Sequence, residues 1–81
     1  MSMHMISKVW NANINSPIQK LVLLALSHKA DNHGDCHACN EEIAEMCELP
    51  LHTTEDALRN LIHKGYICKM EGFFCVYKLM I

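Results

Sequence analysis

The 81-residue chain is poor in aromatic residues (6%), has three glycines and two prolines, and its longest strongly apolar run, Leu21 to Leu26, is six residues. A membrane-spanning helix needs about 20 apolar residues, so no spanning segment is expected. With so little Gly and Pro there is no linker, and neither a repeat nor a low-complexity stretch occurs, so the chain reads as one small domain. A domain of this size leaves little room for an enclosed substrate cavity, and the sequence holds no nucleophile elbow, zinc-protease pattern or P-loop. A binding protein rather than an enzyme is expected, with no cofactor. The first residues lack both a basic segment and the apolar core of a secretory leader, which points to a cytoplasmic setting.

Positive charge is scarce, and its distribution matters more than its total. Seven Lys+Arg stand against nine Asp+Glu. Asp31, Asp35, Glu41, Glu42, Glu45, Glu48, Glu55 and Asp56 follow one another without a Lys or Arg between them, and Lys8, Lys20, Lys29, Arg59, Lys64, Lys69 and Lys78 all lie outside that window. Phosphate binding ordinarily requires the opposite balance. The five cysteines are an odd number, which fits free thiols better than a disulfide framework.

Residues 1–15 read as an extended arm, with Trp10 packing on the domain as a core plug. Ser16-Pro17 is a helix start, Ser as cap and Pro at the first helical position. The helix runs to Lys29 or Ala30, with Ile18, Leu21, Val22 and Ala25 at core-facing spacing and Leu24 widening the stripe. Asp31-Asn32-His33-Gly34-Asp35 is a turn-forming cluster. Asn40 is placed to cap a short second helix with Ile43, Ala44 and Cys47 facing inward. A third helix follows Pro50 and reaches Lys64, with Thr54, Ala57, Leu58, Leu61 and Ile62 inward and Gly65 as its C-cap. Tyr66-Ile67-Cys68-Lys69 and Phe73 to Leu79 flank Met70-Glu71-Gly72 as a β-hairpin. Three helices plus a C-terminal wing make a mainly α fold, the winged helix-turn-helix, over residues 16–81.

The runs Lys20 to Leu26, Ala30 to Cys36, Ile43 to Cys47, Ala57 to Leu61 and Gly65 to Ile67 resemble the winged helix-turn-helix domains of phage and prophage replication-initiation proteins of the replisome-organiser type. The resemblance implies that the third helix is a DNA recognition helix. In this sequence Pro50 stands where that family has a capping Ser, Glu48 where it has a turn Gly and Thr54 where it has Val.

Two binding surfaces are therefore expected. The first is an acidic face, Glu41, Glu42, Glu45, Glu55 and Asp56, that takes a protein with a basic surface, in the manner of an inhibitor, an adaptor or an anti-CRISPR protein. The alternative is double-stranded DNA held by His52, Thr53, Arg59, Asn60, His63 and Lys64 of the third helix and Lys69 of the wing. Against DNA stand the carboxylates, and the four-residue spacing of Glu55 and Arg59 lets the two pair and withdraws the best base-reading donor. Cys36 and Cys39 form a C-x-x-C, a weak zinc candidate that lacks two further ligands. In the hairpin, Phe73, Cys75 and Tyr77 share one face and Phe74, Val76 and Lys78 the other, which marks the exposed face for a homodimer or partner contact.

Overall fold

The computed structural model describes residues 3–70 and 76–81. The elements run α1 (Met3–Asn11), α2 (Pro17–Lys29), β1 (Asp35–His37), α3 (Asn40–Cys47), α4 (Leu51–Lys64), β2 (Ile67–Lys69) and β3 (Val76–Leu79). The helices pack around α2, and a three-stranded antiparallel sheet of order β1-β3-β2 closes one side. This is the winged helix-turn-helix arrangement, with one helix and one strand beyond the expected set. No helix among the described residues is long and apolar enough to cross a membrane.

The N-terminal segment is helical, not extended. Met5, Val9 and Ala12 recur at i, i+4 and i+7 and all three pack on the core, Val9 with no exposed surface. Trp10 falls one position off that stripe and is 62% exposed, so Val9 and Ile14, not Trp10, plug the core. The chain then turns at Asn15, in the left-handed region at φ 66°, a conformation that Asn tolerates better than most residues. Ser16 caps α2 as expected, its Oγ accepting the Gln19 N–H at 3.2 Å with Pro17 following.

The bounds of α2 are as read from the sequence, but its rotation is not. Val22, Leu23, Ala25 and Leu26 are buried, while Ile18 and Leu21 are 42% and 41% exposed. Within Leu21 to Leu26 no polar residue fixes which apolar side chains turn inward, and α2 meets α1, α3, α4, β1 and β3, so its buried arc is wider than one stripe.

The Asp31 carboxylate organises the following turn by accepting the N–H groups of His33 at 2.8 Å and Asp35 at 3.0 Å. Both bonds favour the charged form, and they hold the carboxyl below its ordinary range. Gly34 takes φ 84°, and a Cβ there would sit 3.1 Å from the Met5 side chain and 3.4 Å from the Leu79 carbonyl. The turn delivers β1, which pairs Asp35 with Lys78, Cys36 with Tyr77 and His37 with Val76. A three-residue strand is too short to show alternation, and its partner lies some forty residues later in sequence, so local pattern gave no sign of it. The expected hairpin pairing is present between β2 and β3, with Ile67 opposite Leu79 and Lys69 opposite Tyr77. Its turn and the faces assigned to Phe73, Phe74 and Cys75 lie outside the described residues.

Candidate nucleic-acid interface

The α3–α4 unit is built by two left-handed caps and one shared core. Glu48 ends α3 at φ 55°, its N–H returned to Ala44 and Glu45 carbonyls. Gly65 ends α4 at φ 87°, with its own N–H on the Ile62 carbonyl at 3.1 Å and that of Tyr66 on Leu61 at 3.0 Å, a closure that suits glycine. Between the caps, Ile43, Ala44 and Cys47 of α3 face Thr54, Ala57, Leu58 and Leu61 of α4, all buried as expected. Ile62, also expected inward, is 40% exposed.

The opposite side of α4 is polar. His52, Asp56, Arg59, Asn60 and His63 are exposed and fall at i, i+4, i+7, i+8 and i+11, which on a helix is one continuous stripe. Thr53 is half-buried beside it. Arg59 is tied to Asp56, not to Glu55: its Nη1 lies 2.6 Å from Asp56 Oδ1, with the two side chains 73% and 62% exposed. Both three- and four-residue spacings are geometrically open to such a pair, and here the shorter one is taken. Asn60 donates to the Asp56 carbonyl at 3.0 Å. An ion pair this exposed is worth little and exchanges readily with water or another anion.

Beside the stripe, α4 and the sheet enclose a shallow groove of about 320 Å³. Glu55, Arg59 and Ile62 line it from the helix, and Lys69 and Tyr77 from the strands. Tyr77 donates to Asn40 Oδ1 at 2.7 Å and so locks β3 to the start of α3. That bond replaces the capping role expected for Asn40, which is the first helical residue; the N-cap is Cys39, without a side-chain cap bond. Nothing in the local sequence announces the Tyr77–Asn40 contact, because 37 residues separate the partners.

Lys64 is not part of this interface. Its Nζ donates to the Ile14 carbonyl at 3.0 Å and to Gln19 Oε1 at 2.6 Å, fastening α4 to the α1–α2 connection. The acidic residues also divide. Glu42 lies 2.6 Å from Lys29, and its hydrogen bond and charge hold the Lys29 ammonium above its ordinary pKa. Glu41 and Glu45 are exposed on α3, and among the described residues neither makes an ion pair. The acidic window holds no Lys or Arg in sequence, yet Glu42 gains one in space, because Lys29 comes from a different helix.

The C-x-x-C residues are separated in role. Cys36 is buried in β1, and burial pushes its thiol up to about 11. Cys39 stands ahead of α3, and among the described residues no group of three or more His, Cys, Asp or Glu is placed to hold a metal.

A family model described as a helix-turn-helix domain matches residues 16–67. The chain belongs to that family. The match to the helix-turn-helix domain starts at the Ser16 cap and ends at Ile67, the first residue of β2, so it takes in α2, β1, α3 and α4 and leaves α1 and β3 outside. No curated protein and no solved structure matches the chain.

Proposed function

We propose that this helix-turn-helix domain acts by binding double-stranded DNA, without catalysis, in the control of replication or transcription in the cytoplasm. The recognition element is α4, with His52, Thr53, Arg59 and Asn60 directed at base edges and His63 and Lys69 at the backbone. The observation that carries the reading is the continuous polar stripe on the outward side of the second helix of the helix-turn-helix unit, the surface that this architecture lays into the major groove. Lys69, across the groove from Arg59, adds a cation from the wing. The low positive charge predicts modest affinity with a shallow salt dependence, because few counterions are released.

The test is a fluorescence anisotropy titration with random and genomic duplexes at about 50 mM salt, where electrostatic binding is strongest. Binding that weakens as salt rises and is lost with Arg59→Ala supports the reading; no binding at tens of micromolar refutes it. A second reading rests on Glu41 and Glu45, exposed and without an ion pair among the described residues. These carboxylates suit a basic protein surface, as an inhibitor or adaptor would use. Charge reversal at both positions then abolishes capture of that protein and leaves DNA affinity unreduced.

A further inference from the structure

Four polar side chains of α2 are committed within the chain. Gln19 accepts from Lys64 at 2.6 Å, Lys20 donates to the Trp10 carbonyl at 3.0 Å, Ser27 donates to the Leu23 carbonyl at 2.8 Å and Lys29 pairs with Glu42 at 2.6 Å. Two of the apolar ones are turned out, Ile18 at 42% and Leu21 at 41% exposure, and Leu21 shares a groove with Trp10, itself 62% exposed. A helix face that meets only water carries the reverse arrangement. Trp10, Pro17, Lys20, Leu21 and Leu24 line one groove of about 380 Å³ whose surface is almost wholly apolar.

We infer that this face is a two-fold contact between two copies of the chain. The patch carries both a projection and a recess, the indole of Trp10 and the groove beside it. That is what an isologous contact requires, since each copy must offer the same surface and its complement. A two-fold axis between the α2 helices seats each Trp10 in the groove of the other copy. No Asp or Glu precedes Asp31, so a contact made by α1 and α2 strips water from no carboxylate, and the acidic residues of α3 and α4 do not enter it.

The area suffices for a specific dimer. Trp10, Pro17, Ile18, Leu21 and Leu24 leave on the order of 400 Å² of apolar surface uncovered, within the range of the largest, often functional, patches on monomers. Interfaces are about 60% apolar, so that patch corresponds to roughly 1,300 Å² buried in total, at the lower end of specific interfaces. The contact is separate from the hairpin, and it holds whether or not α4 binds DNA.

The test is sedimentation equilibrium of the full chain without DNA over about 5 to 500 µM. The expected result is a reversible dimer of the 9.3 kDa chain. Trp10→Ala raises its dissociation constant at least about 30-fold, as loss of a central tryptophan does at interfaces. Leu21→Glu, which sets like charges across the axis, gives a monomer. Both positions are exposed, and thermal unfolding of the dilute variants verifies that each is folded. A monomer at every concentration overturns the inference and leaves the face to a different protein. A dimer indifferent to Trp10→Ala overturns it too, and growth beyond two copies replaces the two-fold contact with a head-to-tail one.

Discussion

Asp56→Asn is the substitution that most directly probes α4 as a recognition helix. In the native protein the Arg59 guanidinium is held 2.6 Å from the Asp56 carboxylate on the exposed stripe. Neutralising Asp56 does two things at once: it removes an anion from the surface that would meet phosphates, and it frees the strongest base-reading donor of the helix. An arginine making a good base contact supplies roughly 1 to 3 kcal/mol. Part of this is already available to the wild type, because an exposed helix pair of this kind resists opening by only about 0.5 kcal/mol. The expected gain is therefore about 0.5 kcal/mol from the released arginine and a similar amount from the removed anion, about 1 kcal/mol in all, roughly a fivefold lower Kd for DNA. Losing one anion from the surface that meets the phosphates raises its net charge by one unit and steepens the plot of log K against log salt by at most about 0.9. Fluorescence anisotropy from about 50 to 200 mM salt reads both quantities. Adding Arg59→Ala to Asp56→Asn should abolish the gain. An affinity change under about twofold with an unaltered salt slope refutes the argument that the Asp56–Arg59 pair restrains DNA binding, since a change that small is about 0.4 kcal/mol.

Three further outcomes follow from the packing. Leu26→Ala, at a site with no exposed surface, should lower the unfolding free energy by about 2 to 5 kcal/mol, read from the urea midpoint. Tyr77→Phe removes the 2.7 Å bond to Asn40, and calorimetry should show a fall of about 1 kcal/mol, or roughly 4 to 8 °C in Tm. Cys36 keeps its proton up to about 11 in the folded chain against an ordinary 9.0. Stability from that site is therefore complete below pH 9.0 and is lost as pH rises from there through about 11. Urea titrations over this pH range should show that loss, and Cys36→Ala should flatten it.

Three of the four helices, α2, α3 and α4, were legible from local signals. Ser16-Pro17 opens α2, Gly65 closes α4, and the inward residues of α3 recur at helical spacing, so the bounds of these helices followed from local chemistry. Rotation was legible only where polar residues interrupt the apolar ones: the buried set of α4 was read with one error, Ile62, while the uninterrupted run in α2 concealed that Ile18 and Leu21 turn outward. The sequence also held a periodic signal for α1 in Met5, Val9 and Ala12, masked by Trp10 and the run of asparagines. Contacts made across long stretches of chain were beyond local reading. β1 against β3, Tyr77 with Asn40, and Lys64 with Ile14 and Gln19 exist only after the helices have packed. For the candidate interface, the composition of the α4 stripe was legible. The partners of Arg59, Glu42 and Lys64 were not, since an ion-pair choice depends on side-chain reach in three dimensions.

The sheet order has a consequence for how the domain is made. β3 lies between β1 and β2, so the strand formed by residues 76–79 joins the helical part of the chain to the wing. Most contacts among α1 to α4 span less of the chain than the pairing of β1 with β3 does, so the helices can condense first. β1 meanwhile has its edge unpaired, until Lys78, Tyr77 and Val76 meet Asp35, Cys36 and His37. Such non-local pairings are the slow steps of folding. A folding intermediate with assembled helices would then leave a sheet edge open to pairing with another chain.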